Sequence, residues 1–325
     1  MGMSERALVT GITGFVGRHL CAHLIECGDQ VIGLAPGPAP ECPSWGALPP
    51  PQQVLLWDLK TPEDCPNEIK DRIRQFQPTV VYHLAALSVP EDCGREEPHQ
   101  VAWTINVEGT RRIVELLREV CPSTRLIFAS TSHLYRVPQD RVTYVSEDYP
   151  ISPRNGYAQT KWAAEQIVQD ATKKHGLDAI IVRAFPHTGP GQSERMMLPA
   201  WAVQFARGAR IVHVHTLSAT IDLCDVRDVV RAYRLLAQFG SRGEIYNVGS
   251  GSPQTSGDVF KILRAIANRD CEVVETHPGI KYDPIADLRK IESHIHWKPE
   301  ISIERTVADT YHWWSALLAS TERPG

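Results

Sequence analysis

Over residues 1–185 the chain alternates two sequence periods, and this alternation constrains its fold more than any other feature. Short β-branched runs stand at Ala7–Thr10, Gln30–Gly33, Val54–Trp57, Thr79–His83, Arg125–Ala129 and Ala179–Arg183. Longer amphipathic stretches lie between them, at Val16–Glu26, Glu63–Phe76, Gln100–Val120 and Tyr157–His175. Strands that alternate with helices build βαβ units around a parallel sheet. The runs are apolar nearly throughout, as a sheet covered by helices on both faces requires. The expectation is an α/β fold with a doubly wound parallel sheet. Its ligand crevice lies beyond the carboxyl ends of the strands.

The first strand runs into Val9-Thr10-Gly11-Ile12-Thr13-Gly14-Phe15-Val16-Gly17, which opens the first helix. Gly11 suits a tight turn, Gly14 a close approach of backbone to a pyrophosphate, and Gly17 close packing of helix on sheet. The helix N-terminus offers unpaired N–H groups to the phosphates. This points to a Rossmann-type dinucleotide site with Gly11, Thr13, Gly14, Phe15, Val16 and Gly17 against the cofactor. The second strand ends Val31-Ile32-Gly33-Leu34-Ala35, without the acid that reads the ribose of NAD. Arg18 stands beside the loop, either to meet a 2′-phosphate or as a solvated helix residue. The cofactor reading is NAD(P), leaning to NADP.

Tyr157 and Lys161 are four residues apart, on one face of a helix. A nearby ammonium favours the phenolate, so Tyr157 is expected to exchange protons near neutral pH. Ser130-Thr131-Ser132-His133-Leu134-Tyr135 follows the fifth run. A hydroxyl there either reaches the substrate oxygen that Tyr157 protonates or only caps the strand end.

From Pro186 onward the rhythm is irregular. Helices are expected at Ala200–Arg207 and Val259–Ala267, and one more buried strand at Glu244–Val248. The division expected is a Rossmann domain over 1–185 plus about 220–250, with a smaller, discontinuous C-terminal substrate lobe over 186–219 and 251–325. The Pro- and Gly-rich stretch 35–51 reads as a surface loop. His213 and His215 alternate, as do His294 and His296, in strand-like fashion. No third ligand stands near either pair, so no metal is expected. His312-Trp313-Trp314 sits in a helical pattern as core or interface. The 34 Lys+Arg against 38 Asp+Glu give no basic excess, so no nucleic-acid partner is expected. No apolar run reaches the length of a membrane span. The 8 Cys are scattered and the chain enters its first strand at once, which reads as a cytoplasmic protein with reduced thiols and no secretory leader.

Together these motifs resemble an extended short-chain dehydrogenase/reductase of the NAD-dependent epimerase/dehydratase family, over nearly the whole length. The resemblance adds Asp58-Leu59 as an adenine contact and Leu84-Ala85-Ala86 and Phe185 as further cofactor contacts. Asn106-Val107-Glu108-Gly109-Thr110 matches a family helix motif, and Asp225-Val226-Arg227-Asp228-Val229 a structural turn. It implies a catalytic set of Thr131, Tyr157 and Lys161. It places Ser88, Thr131, Ser132, His133, Tyr157, Pro186 and His187 at the substrate. Arg183 to Gln192 is most similar to GDP-4-dehydro-6-deoxy-D-mannose reductases, and Ala129 to Tyr135 is also similar to GDP-mannose 4,6-dehydratases. A homodimer through Gln100–Val120 and Tyr157–His175 is implied as well, as a four-helix bundle.

Three positions depart from the family pattern. Pro186 replaces a frequent Asn. Ile221 and His277-Pro278 stand where arginines hold the nucleotide diphosphate. Arg195 and Lys281 lie in the right segments to substitute. The dehydratase carboxylate two positions after the catalytic threonine is His133 here. The leading expectation is therefore an NAD(P)-dependent nucleotide-sugar oxidoreductase that reduces a 4-keto-6-deoxy sugar. The alternatives are a 4-epimerase or 4,6-dehydratase, and a non-catalytic dinucleotide-binding regulatory protein. Turnover of keto-sugar nucleotides separates the enzymes from the binding protein.

Overall fold

The computed structural model describes residues 4–37, 52–61 and 63–321. Its first half runs β1 (Arg6–Thr10), α1 (Phe15–Glu26), β2 (Gln30–Ala35), β3 (Gln53–Leu56), α2 (Asn67–Phe76), β4 (Val80–His83), α3 (Pro90–Cys93), α4 (Gln100–Trp103), a π-helical turn (Thr104–Glu108), α5 (Gly109–Val120), β5 (Arg125–Thr131), β6 (Tyr144–Val145), α6 (Gly156–His175) and β7 (Ala179–Ala184). The remainder runs β8 (His187–Thr188), α7 (Met197–Ala206), β9 (Ile211–Val214), β10 (Ala219–Asp222), β11 (Cys224–Asp225), α8 (Val226–Phe239), β12 (Ile245–Val248), β13 (Pro253–Thr255), α9 (Ser256–Ala267), β14 (Glu272–Glu275), β15 (Lys281–Tyr282), β16 (Ile285–Ala286), α10 (Arg289–Ile295) and α11 (Ile303–Thr321).

The central sheet has seven strands in the order β12-β7-β5-β4-β1-β2-β3, all pairs parallel. The order reverses between β1 and β4, which puts the switch-point crevice above the glycine loop. One apolar layer packs α1 and α8 on the sheet through Leu20, Leu24, Val229, Tyr233 and Leu236. The opposite layer packs α2, α5 and α6 through Ile69, Ile73, Ile113, Leu117, Ala164 and Val168. All are buried away from water, and each Val, Leu or Ile among them contributes about 1.5–3 kcal/mol of favourable transfer. A third cluster, of Leu198, Trp201, Phe205, Val212, Ile221, Phe260, Leu263 and Val307, joins α7, α9 and α11 to two small sheets, β13-β10-β15 and β14-β9.

Local chemistry sets the element ends. The Asn155 side chain accepts from the Ala158 N–H and starts α6, and left-handed Gly176 ends it. α2 begins at Asn67 rather than Glu63, because Pro66 stands at its N-cap and disfavours helix in the residue before it. The expected helix over 100–120 is interrupted by the π-helical turn, which carries Asn106.

Several expectations are corrected. His294 lies in α10 and His296 is its left-handed C-cap, so the pair shares no strand face. His213 is on β9 and exposed, while His215 stacks on His277 with ring centroids 4.3 Å apart. Two segments cross the expected division. β10 pairs with β13 and β15 rather than with the central sheet. Leu288, Ile291, Ile295 and Trp297 join the apolar cluster of α8 and β12. Most of the expected 35–51 loop lies outside the described residues, and Ala35 closes β2. Among the described residues no helix is long and apolar enough to cross a membrane.

Candidate active site

A cleft of about 780 Å³ opens at the carboxyl ends of β1, β2, β4, β5 and β7. The glycine loop forms its floor. Gly11 has φ +70°, and a Cβ there would lie 2.9 Å from the Ala85 backbone. A Cβ on Gly17 would lie 2.3 Å from the Gly11 carbonyl oxygen, so only glycine lets α1 come this close. Gly14 is the N-cap of α1 and supplies no side-chain cap, which leaves first-turn N–H groups for a ligand.

His83 holds this loop from beneath. The Thr10 hydroxyl accepts from the Ala85 N–H and stands 2.7 Å from His83 Nδ1. The Thr110 hydroxyl donates to the Asn106 carbonyl and lies 3.1 Å from His83 Nε2. Both contacts are satisfied by a neutral imidazole with its proton on Nε2. Burial pushes the His83 pKa down to about 3.

The chemical end lies across the cleft. Thr131 closes β5, and its Oγ1 accepts from the His133 N–H at 3.2 Å. Its own proton is thereby free to be donated. Tyr157 and Lys161 face the same space from the first turns of α6. Burial pushes the Tyr157 phenol up to about 12, with the Thr131 hydroxyl pulling the other way. This corrects the expected near-neutral phenol: burial outweighs the help available from neighbours. Burial also lowers Lys161 to about 8, opposed by the Glu165 carboxylate one turn on. The Lys161 ammonium lies 4.2 Å from the centre of the Phe128 ring. Glu165 is itself clamped by Arg183 through two hydrogen bonds, at 3.1 and 2.9 Å.

The remaining cleft residues set the frame. Nδ1–H of His187 donates to the Phe185 carbonyl at 2.8 Å. Burial holds both His133 and His187 below the usual imidazole value. The His133 ring meets Tyr157 edge-on, with centroids 5.7 Å apart. Among the described residues, two buried polar atoms of residues that border the cleft, Ser130 Oγ and Trp57 Nε1, have no hydrogen-bond partner. These orphans, the uncapped helix and the glycine cradle fit a bound dinucleotide.

The sequence model of the NAD dependent epimerase/dehydratase family matches residues 7–249. The chain belongs to this family. Among its relatives, GDP-6-deoxy-D-mannose reductase of Pseudomonas aeruginosa is 28% identical, over 97% of this chain and 99% of that one. The solved structure of RMD from Pseudomonas aeruginosa complexed with NADPH superposes with a TM-score of 0.77 at 26% identity, covering 96% of this chain and all of that one. A UDP-glucose 4-epimerase from Thermotoga maritima, solved with UDP-glucose, gives 0.84 at 25% identity, covering 96% and 99%.

Within this family frame, the cleft brings together Gly11, Thr13, Gly14, Phe15, Val16, Gly17, Asp58, Leu59, Leu84, Ala85, Ala86 and Phe185 on the expected cofactor side. Ser88, Thr131, His133, Tyr157, Lys161, Pro186, His187 and Lys281 also border it. Three expected residues do not. Arg18 folds back and donates through Nε to the Thr13 carbonyl. Ser132 is buried behind Thr131. Arg195 makes a two-pronged ion pair with Asp92, both contacts at 2.8 Å. The cleft also takes in Trp57, Met196, Met197, Leu223 and Asp283, which no spacing in the sequence announces. Ile221 borders the cleft with no charge to offer, whereas Lys281 does so paired with Asp283 at 3.0 Å.

Proposed function

We propose that this chain is a reductase that uses a nicotinamide dinucleotide, with preference for NADPH, to reduce a 4-keto-6-deoxy sugar nucleotide. The observation that carries the reading is the gathering of Thr131, Tyr157 and Lys161 on a cleft floored by the glycine loop, in a chain 28% identical over 97% of its length to a GDP-6-deoxy-D-mannose reductase. Burial holds the Tyr157 phenol above its usual value, so the resting site carries the proton that a reduction passes to the substrate oxygen.

A reduced nicotinamide supplies the hydride when bound, and the residues that would hold it are the glycine loop, Asp58, Leu59, Leu84, Ala85, Ala86 and Lys161. Thr131 donates its hydroxyl hydrogen to the keto oxygen. Tyr157 transfers its proton to the same oxygen as charge develops there. Lys161, an ammonium below its pKa of about 8, stabilises the phenolate left behind. Lys281 faces the substrate side and meets a phosphate of the nucleotide. Ile221 leaves that subsite one cation poorer. A reductase that needs nothing further at position 133 accommodates His133, whereas the elimination of water draws on a carboxylate there.

The preference for NADPH is supported by the absence of an acid along Leu34-Ala35-Pro36, which border the cleft. The protein acts in the cytoplasm as a homodimer, through the groove that α5 and α6 form around Val114, Arg118, Ile167 and Lys174. Light scattering at micromolar concentration tests the dimer, and a monomer mass refutes it. The activity is tested by loss of NADPH absorbance with a panel of keto-sugar nucleotides. Absence of turnover with every member, despite tight cofactor binding, turns the reading to a regulatory protein.

A further inference from the structure

The turn Trp57–Thr61 borders the cleft through Trp57, Asp58 and Leu59, on the side away from Tyr157. Its Trp57 N–H reaches the Ala35 carbonyl at 2.9 Å. Beyond that it is a tight turn closed on Asp58, whose carboxylate accepts from the Lys60 N–H at 2.8 Å and whose carbonyl accepts from the Thr61 N–H at 3.2 Å and from the Thr61 hydroxyl at 2.9 Å. A dinucleotide laid across the N-terminus of α1, with its nicotinamide at Tyr157, puts its adenosine half against this turn. The bonds to Asp58 close the turn on itself, and its depth against the cleft is set by what holds it from behind.

Arg112, on α5, does this. Its Nε donates to the Glu108 carbonyl at 3.3 Å, within its own helix. Its Nη2 donates to the Leu59 carbonyl at 2.5 Å, and its Nη1 to the carbonyls of Thr61 and, at 3.4 Å, Glu63. Three acceptors therefore lie in a stretch of five residues, and every acceptor is main chain. Among the described residues Arg112 makes no ion pair that would explain its place. Leu59 also approaches the same helix closely. A Cβ on Gly109 would lie 3.2 Å from the Leu59 Cβ. Only a guanidinium has donors spread over a planar fork wide enough to serve these carbonyls at once.

We propose that Arg112 is a positioning residue that fixes the Asp58–Leu59 turn at the depth which receives the adenosine half of the cofactor, without itself touching the cofactor. The inference rests on the reading of the cleft as a dinucleotide site, and the two fail differently.

The test is equilibrium titration, by fluorescence, of wild type, Arg112→Met and Arg112→Lys. The probes are NADPH and reduced nicotinamide mononucleotide, which lacks the adenosine half. Arg112→Met is expected to weaken NADPH about tenfold or more, as loss of charge-assisted hydrogen bonds does. The mononucleotide should stay within about twofold, since nothing near Tyr157 depends on the clamp. Arg112→Lys keeps a charge but not the fork and should fall between. If Arg112→Met does not fold, the lysine variant alone decides, by a loss for NADPH that the mononucleotide does not share. Unchanged NADPH affinity overturns the inference, and so does an equal loss for both probes, which marks a general structural role. A wild-type protein that binds neither probe removes the dinucleotide reading itself.

Discussion

Replacing Tyr157 by Phe removes one oxygen and one proton from the centre of the proposed chemistry. The phenol is neutral at pH 7 because burial pushes it up to about 12, so the group lost is a proton donor. Loss of a single hydrogen bond to a developing alkoxide costs about 1.5–3 kcal/mol, or about 10- to 100-fold. Loss of the proton source adds to this, and general acids are worth about 10²–10⁴-fold in all. That range corresponds to about 3–5 kcal/mol of barrier. Thr131 keeps its contact with the His133 N–H, so the neighbouring geometry survives the change. The assay is single-turnover loss of NADPH absorbance, with cofactor affinity measured in parallel. Turnover within about fivefold of wild type, at unchanged affinity, would refute the assignment of Tyr157 as the acid.

Three further outcomes follow from the same geometry. Lys161 is needed as an ammonium and its pKa lies near 8, so kcat/KM should hold below that pH and fall as pH rises through it; a pH profile in which that limb survives in Lys161→Met contradicts the assignment. Glu165→Ala strands the Arg183 guanidinium in the core, at a cost of about 3–5 kcal/mol, whereas replacing both by apolar residues costs less; denaturant midpoints of the single and double variants check this. Lys281→Ala should raise KM for the nucleotide substrate about tenfold, while Arg195→Ala, which breaks only the exposed pair with Asp92, should leave KM unchanged and cost under about 1 kcal/mol.

The strands of the central sheet were legible because each is a short apolar run between helices, and period 2 against period 3.6 is a local signal. The glycine loop was legible for the same reason: its strand, turn and helix are contiguous. Tyr157 and Lys161 were legible as neighbours, because four residues is one helical turn. Their pKa values were not, since burial is set by Phe128 and by distant strands rather than by spacing. Arg195 shows the same limit. Its neighbours Ser193 and Met196 border the cleft, but its charge is taken by Asp92, a residue 103 positions away. The π-helical turn left no trace because a single extra residue hardly disturbs an apolar stripe. His294 and His296 were read with period 2 over too short a stretch, where a helix was ending. Arg112 carries no motif at all. Its partners are main-chain carbonyls, which any sequence has.

The most direct test of the central claim supplies the protein with NADPH and GDP-4-keto-6-deoxymannose, and separately with intact GDP-mannose and oxidised cofactor. Absorbance at 340 nm and the sugar products are followed in both. The account predicts stoichiometric loss of NADPH with the keto sugar, a 6-deoxy-hexose nucleotide as product, and no 4-keto product from GDP-mannose. Formation of that 4-keto product at enzyme-like rates, with no net consumption of NADPH by the keto sugar, would contradict it and make His133 part of a dehydratase site.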